Sequence, residues 1–418
     1  MFSLGRFGIK LGLETIEGIL AELGNPHEKL RCIHLAGTNG KGSIGSSLAT
    51  ILRKAGFSVG LYTSPHLVKF NERIAINGVP VTDKEVVEGY LAVSEAAGEG
   101  RQPTFFEITT AMALKSFADA AVDWAIIETG MGGRLDATNI VRPELSVITN
   151  IALEHQEYLG DTIGEIAGEK AGIIKAGKPV VTGATQPEAL SCITRVAEEL
   201  SAPLHRSGHE FRATANDDGT FDYAGMGCHW PGMRTGLLGE HQVDNAALTL
   251  AACEALTPAL AAMGQGPLSE AVIREGLAET RWPGRLEKVS DDPFIIIDGA
   301  HNLAAAEKLA AFLEGLAKQR RLTLVIGILD DKPHAEILQT LLPPCDRVVL
   351  TSPQIKRSLP AEALLPTAKE LAGEIQVVPT VREAIAHAID TASEGEAICI
   401  AGSLYVVGEA KEALADLL

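Results

Sequence analysis

The stretch from Arg31 to Ala55 constrains the fold more than any other part of the chain. An apolar run from Arg31 to Ala36 predicts a buried strand. Ile44 to Ala55 predicts a helix whose first turn sits directly on the loop Gly37-Thr38-Asn39-Gly40-Lys41-Gly42-Ser43. Glycines let the backbone approach an anion closely, a helix start offers unpaired N–H groups and positive dipole, and Lys41 adds a mobile charge for outer phosphates. Such a loop holds a nucleotide triphosphate tail. Its spacing departs from G-x-x-x-x-G-K-[ST]: Leu35 stands where the first glycine is expected, and Gly42 intervenes between Lys41 and Ser43. The stretch is a variant P-loop; taken alone, it is also compatible with a plain glycine-rich βα turn carrying a surface lysine.

A chain of 418 residues is too long for one typical core, so two domains are expected. With 46% hydrophobic and 22% charged residues there is no compositional case for extensive disorder. A formal net charge of −18 argues against nucleic acid or an anionic membrane as partner, and requires any phosphate site to be locally basic. Cys32, Cys192, Cys228, Cys253, Cys345 and Cys399 stand singly, without C-x-x-C or metal-ligand spacing, as in the core of a protein from a reducing compartment. No basic segment followed by an apolar run opens the chain, and no run of about 18 apolar residues occurs. A soluble, cytoplasmic monomer is the expectation.

Along the chain, Leu11 to Leu23 carries Leu13, Ile16, Leu20 and Leu23 at helical spacing and stops at Gly24-Asn25-Pro26. Ser58 to Tyr62 predicts a second strand, and the loop after it, Thr63-Ser64-Pro65-His66-Leu67, faces the same sheet edge as the P-loop, so Ser64 and His66 are candidates beside the simpler reading of a capped turn. Thr104-Phe105-Phe106-Glu107 opens a helix; its aromatics and carboxylate can form a pocket for a flat heterocycle, although two adjacent Phe are more often core. Trp124 to Glu128 is a buried-strand pattern ending on an acid, followed by the glycine loop Thr129 to Asn139. A carboxylate there is placed to hold Mg²⁺ near phosphates. Leu145 to Thr149 and Pro179 to Thr182 predict further strands. His155 alone reads as a structural histidine, but Lys170 follows on a small and apolar helix from Ile163. A buried ammonium would be repelled by Mg²⁺, whereas a lysine that had reacted with CO₂ would attract it. Gly239 to Asn245 opens the helix Ala246 to Ala255, its polar residues serving a ligand or an N-cap. Thr280 to Leu286, with Pro283-Gly284, is the expected boundary, giving domains 1–283 and 284–418. Beyond it five strands are expected, at Phe294–Ile297, Leu322–Ile326, Arg347–Leu350, Ile375–Val378 and Ala397–Ile400. The first ends on Asp298-Gly299-Ala300-His301-Asn302. The fold class is α/β in two domains: an N-terminal P-loop NTPase-like parallel sheet with flanking helices and a smaller Rossmann-like C-terminal domain.

Taken in order, these motifs, with Pro283-Gly284-Arg285, Asp330-Asp331-Lys332 and Gly402-Ser403, resemble the folylpolyglutamate synthase/dihydrofolate synthase branch of the Mur ligase family over nearly the whole chain. The resemblance implies ATP-dependent ligation of L-glutamate to dihydropteroate, to folates, or to both, with ATP as co-substrate and Mg²⁺ at two sites. A monovalent cation is a further candidate. It implies that Thr38, Asn39, Gly40, Lys41, Gly42 and Ser43 cradle the phosphates, that Asn245, Arg285 and Asp298 bind ATP between the domains, and that Ser64, Glu128 and His155 coordinate magnesium. Lys170 matches a carbamylated lysine that helps hold a second magnesium. Lys41, Asp136, Lys170 and His301 are the catalytic candidates. Thr104, Phe105, Phe106, Glu107, Leu135, Asp136 and Ala137 match pterin contacts, and Ser403 is a candidate for the incoming glutamate. Glu154, where many relatives have Asp, and Thr129, where Val is usual, depart from the pattern without removing a ligand. The chemistry this implies is phosphorylation of a carboxyl group followed by attack of the glutamate amine, with Trp282 to Arg285 as the expected hinge. A muramoyl-type Mur ligase and an ATP-driven two-domain switch are the alternatives; Leu11 to Glu14 with Thr63 to His66 looks like the folate branch, and a requirement of phosphate release for both pterin and glutamate would separate the three.

Overall fold

The structure is a computed structural model that describes residues 12–98 and 102–418. The chain divides into two compact units. The first reaches through His66 and continues over Phe70–Gly236 and Gln242–Arg281; the second comprises Trp282–Leu418 with Leu67–Lys69 and Leu237–His241.

Unit 1 is built on eight strands: β1 (Cys32–Ala36), β2 (Val59–Tyr62), β3 (Ile74–Ile76), β4 (Val79–Pro80), β5 (Trp124–Glu128), β6 (Pro143–Ile148), β7 (Val180–Thr182) and β8 (Leu204–Arg206). Their order is β4-β3-β2-β5-β1-β6-β7-β8. All neighbours from β2 to β8 are parallel, and only the edge pairs β2–β3 and β3–β4 are antiparallel. Strand β1 is central, with β5 on one side and β6 on the other, so the chain reverses direction across the sheet there. Loops leaving the carboxyl ends of β1, β2, β5 and β6 converge on that crevice. Side chains of β1 alternate between layers as a pleated strand requires. Ile33 and Leu35 pack with Ile44, Leu48 and Leu52 of the P-loop helix. Cys32 belongs to the opposite layer with Met112, Leu114 and Phe117. A three-stranded antiparallel sheet, β9 (Arg212–Ala215), β10 (Phe221–Ala224) and β11 (His229–Met233), packs Phe221 and Tyr223 into the first of these clusters.

Two helix boundaries correct the sequence reading. The P-loop helix spans Lys41–Lys54, so Lys41 and Ser43 lie in its first turn. The helix expected from Ala246 starts at His241 and runs to Ala255, which puts Gln242 and Asn245 on helical turns instead of in a loop. Of the N-terminal pattern, Glu14–Glu22 is helical with Ile16, Ile19 and Leu20 buried, while Leu11 lies outside the described residues. Among the described residues one helical stretch, His241–Ala262, has the length and composition to cross a membrane, but 67% of its apolar 18-residue segment is buried inside the protein, as befits a core helix. The cysteines are all free, with Cys32, Cys253 and Cys399 buried.

Unit 2 has a six-stranded sheet where five strands were expected. Strands β13 (Phe294–Ile297), β14 (Leu322–Ile326), β15 (Arg347–Ser352), β16 (Glu374–Thr380) and β17 (Ala397–Ala401) are parallel, in the order β13-β17-β14-β15-β16. The sixth, β12 (Glu287–Asp291), pairs antiparallel with β13 at the edge. Its sequence Glu-Lys-Val-Ser-Asp has no apolar face, and it stays largely exposed, so periodicity could not reveal it.

Candidate active site

The loop between β1 and its helix is shaped by backbone conformation and by the loop after β6. Gly40 is the helix N-cap with φ of 87°, a left-handed conformation, and it makes no side-chain cap. A methyl group on Gly40 would stand 2.5 Å from Asn245 Oδ1. Thr38 N donates to Asn150 O (2.9 Å), Asn39 N to Asn150 Oδ1 (2.9 Å), and Thr149 Oγ1 to Asn39 O (2.5 Å). Asn245 Nδ2 donates to Gln242 Oε1 (2.9 Å), and Gln242 Nε2 reaches Ser43 Oγ (3.5 Å). Lys41 Nζ folds back onto Gly37 O (2.8 Å) and Thr38 O (3.1 Å). Thr38 to Ser43 and Asn245 thus form one cluster. The sequence reading missed Thr149 and Asn150, although Thr149-Asn150 at a strand's carboxyl end was the available signal, whereas Gln242 lies in the polar stretch Gly239 to Asn245 already singled out.

Glu128, at the end of β5, is 5% exposed. Its Oε1 lies 3.9 Å from Lys41 Nζ, and its Oε2 accepts from Ser64 N at 3.3 Å. The β1, β2 and β5 loops therefore meet at this carboxylate. His66 instead serves its own loop. Its Nδ1 accepts from Arg73 Nε (2.8 Å), and burial with the adjacent Arg73 holds the imidazole down to about 4, hence neutral. The Arg73 guanidinium in turn covers the Phe105 ring at 5.2 Å. Lys170 is 4% exposed, and burial, aided by Lys41, lowers its amine to about 7, with Glu154 and Asp136 pulling the other way. His155 has a left-handed backbone, and its Nε2 lies 3.6 Å from Glu154 Oε1, so Glu154 faces both His155 and Lys170. Among the described residues no three His, Cys, Asp or Glu side chains form a metal-holding group. An ion beside Glu128 would rest on one carboxylate, Ser64 and phosphate oxygens, a donor set that suits magnesium.

Beside β5, the helix Phe105–Asp119 opens with a capping box: Thr104 N donates to Glu107 Oε2 (2.7 Å) and Glu107 N to Thr104 Oγ1 (3.1 Å). Thr104 Oγ1 and Glu107 Oε2 thus serve the helix start, while Glu107 Oε1 is buried without a hydrogen-bond partner and Phe105 and Phe106 are only half-buried. Phe106 lies against Gly130, where no Cβ would fit, and 6.0 Å from the Tyr62 ring. Asp136 is buried, and both its oxygens are engaged inside its loop. Oδ2 accepts from Gly130 N (3.0 Å) and Met131 N (2.9 Å); Oδ1 accepts from Thr138 N (2.9 Å) and Thr138 Oγ1 (2.5 Å). Burial pushes its carboxyl above the usual range against the pull of those hydrogen bonds. Leu135 is half-buried and Ala137 buried beside it.

Arg285, Asp298, His301 and Ser403 belong to unit 2. Asp298 ends β13 and accepts from Leu286 N (2.8 Å) and Ala300 N (2.8 Å), and burial raises its carboxyl while the nearby Arg285 opposes the rise. His301 Nδ1 lies 2.7 Å from Gly299 O. Asn302 caps the helix Leu303–Ala317, and Ser403 caps Leu404–Leu417 by accepting from Val406 N (3.1 Å), with Ser403 only 1% exposed. The cap accounts for the Ser403 hydroxyl.

The model of the Mur ligase middle domain matches residues 35–253, and that of the Mur ligase glutamate ligase domain matches residues 284–404. The chain is 43% identical over 347 residues to a dihydrofolate synthase/folylpolyglutamate synthase of Bacillus subtilis, covering 80% of each. A solved structure of Escherichia coli FolC in complex with DHPP and ADP superposes with a TM-score of 0.90 at 34% identity, over 99% of this chain and 95% of that one. A bifunctional folylpolyglutamate synthase/dihydrofolate synthase from Yersinia pestis, complexed with AMPPNP and Mn ion, does so with a TM-score of 0.87 at 32% identity, over 98% and 95%. The family expected from the motifs and the two-domain α/β fold are therefore both found, and the chain belongs to the dihydrofolate synthase/folylpolyglutamate synthase branch of the Mur ligases.

Proposed function

We propose that this chain is an ATP-dependent ligase that joins L-glutamate to the carboxyl group of a pteridine acid, taking both dihydropteroate and reduced folates. The observation that carries the reading is the convergence of the uncapped P-loop helix, Lys41 and Glu128 at the crevice beside β1, with half-buried Phe105 and Phe106 on the neighbouring helix. A carboxylate is a poor electrophile, so transfer of the γ-phosphoryl group must activate it first. Lys41 and the N–H groups opening the helix Lys41–Lys54 stabilise the charge on that group as it moves. That transfer releases ADP and leaves an acyl phosphate, which the neutral amine of glutamate attacks; the tetrahedral species then expels phosphate and loses a proton to give the amide. A divalent ion, when bound, would neutralise charge on the phosphoryl oxygens; Glu128 and Ser64 would hold one magnesium, and His155 with a carbamate on Lys170 a second. The lowered basicity of Lys170 supports the carbamate, because only the neutral amine adds CO₂. Residues 1–283 would bind ATP and the pteridine, with Asn245 over the phosphate loop, and residues 284–418 would supply Arg285, Asp298 and His301. A cytoplasmic monomer is part of the same reading.

Purified protein with ATP, magnesium and labelled glutamate, offered dihydropteroate and tetrahydrofolate separately, tests the assignment. Labelled product from both acceptors is expected, with phosphate release that requires acceptor and glutamate together. Phosphate release without an acceptor would overturn the ligase reading; product from one acceptor alone would overturn bifunctionality.

A further inference from the structure

The buried chain His34–Thr138–Asp136 lies beneath the loop that follows Glu128. His34 is fully buried in the middle of β1, three residues before Gly37. Its Nε2 is 2.8 Å from Thr138 Oγ1, which is itself 2.5 Å from Asp136 Oδ1. A threonine hydroxyl has one proton. Asp136, which also accepts from three backbone N–H groups, takes that proton, so the imidazole must donate from Nε2. The state of Nδ1 agrees: it is buried with no partner, as fits a bare nitrogen better than an N–H. Burial holds the ring down to about 3, so His34 is a neutral donor across the working range of an enzyme.

An apolar side chain would fill this site in a central strand at lower cost than an imidazole with an orphaned nitrogen. The donor is therefore the reason for the histidine. What it secures is the loop Thr129–Asn139, which is moulded against the helix carrying Lys170. Arg134 N donates to Glu169 O (2.7 Å), Asn139 Nδ2 donates to Arg134 O (2.9 Å) and Gly172 O (3.1 Å), and a Cβ on Gly133 would stand 2.8 Å from Glu169 O. With four donors on its two oxygens, the Asp136 carboxylate is a strut of that loop.

We infer that His34 and Thr138 are positioning residues of the ligation reaction, acting as a proton-ordered hydrogen-bond chain that fixes Asp136 and, through it, the loop facing the pteridine acceptor. The inference rests on the acceptor assignment above. The Asp136 carboxylate acts through the loop it holds, and abstracts no proton.

Four variants and one double variant test it in the full-length enzyme: Thr138→Val and His34→Leu, which break the chain, Thr138→Ser and His34→Gln, which keep a hydroxyl and an N–H donor, and Thr138→Val with His34→Leu. Wild-type protein is assayed first with dihydropteroate; absence of amide there is a failure of the functional reading, not of the chain. Thr138→Val is expected to lower kcat/KM for the acceptor by roughly tenfold or more, the worth of a hydrogen bond to a charged group, and His34→Leu by roughly fivefold, the worth of a neutral one, with KM for ATP unchanged in both. Thr138→Ser and His34→Gln should stay within about threefold of wild type, and the double variant should be no worse than Thr138→Val, because the two residues act in series. Unchanged kinetics in Thr138→Val, an equal rise in the ATP KM, or multiplicative losses in the double variant would each overturn the inference. Should Thr138→Val not fold, the His34→Leu and His34→Gln pair decides by the same criteria.

Discussion

The starts of three helices divide the molecule into two kinds of loop. In unit 1, the helix Lys41–Lys54 begins after a left-handed glycine with no side-chain cap. In unit 2, Asn302 caps Leu303–Ala317 and Ser403 caps Leu404–Leu417, each with its own side-chain oxygen. All three follow parallel strands, and all three offer the same dipole. They differ in what occupies the first turn's N–H groups: side chains of the protein in unit 2, and no side-chain cap at the P-loop, where Gly40 leaves access for an anion. At the P-loop the chain withholds the side-chain cap that Asn302 and Ser403 supply in unit 2.

The comparison can be broken most severely at Lys41. Lys41→Ala should lower amide formation and coupled ADP release by at least about a hundredfold while the thermal midpoint stays near wild type; near-normal turnover would remove the P-loop from the reaction. Gly40→Ala is next. Holding alanine at positive φ costs about 1–2 kcal/mol, and its methyl meets Asn245 Oδ1, so a rise of roughly tenfold in the ATP KM is expected in steady-state assays, with little change in the acceptor KM.

Lys170 sharpens the electrostatic side of unit 1. The unfolded amine holds its proton up to about 10.5 and the folded one only up to about 7. The buried lysine therefore destabilises the fold fully below pH 7, and the penalty fades as pH rises toward 10.5. Lys170→Met should raise the thermal midpoint at pH 7 and lose that advantage near pH 10.5. If bicarbonate at pH 7 stabilises wild type but not the variant, and intact mass under mild conditions shows one added CO₂, the carbamate is present; no difference argues for the free amine. The smallest effect is expected in unit 2, where Ser403→Ala should cost about 1 kcal/mol of stability as a lost cap, with the glutamate KM unchanged. A glutamate KM that rises without loss of stability would assign Ser403 to the incoming glutamate.

Much of this was readable in the residues. The buried strand before the glycines, the helix after them, the strand-end acids Glu128 and Asp298 and the parallel α/β alternation are local or periodic signals, and each is present in the structure. Strand β12 was not readable, because a polar edge strand has no pattern of its own and is defined by the neighbour it pairs with. Nor were the roles of individual side chains. That His66 serves Arg73, that Asp136 is filled by its own loop, and that Ser403 caps a helix depend on which atoms meet once the loops have folded, or on an N–H left over at a helix start.

By itself, then, the sequence determined the patterned elements and the chemistry available at the phosphate loop, since backbone freedom at glycine, hydrophobic period and a lysine after a strand are properties of neighbouring residues. The tertiary structure alone decided which polar groups remain for a reactant. Hydrogen-bond capacity is finite, and whether His34, Asp136 or Asn245 spends its own on the protein is settled only when strands distant in the chain lie side by side.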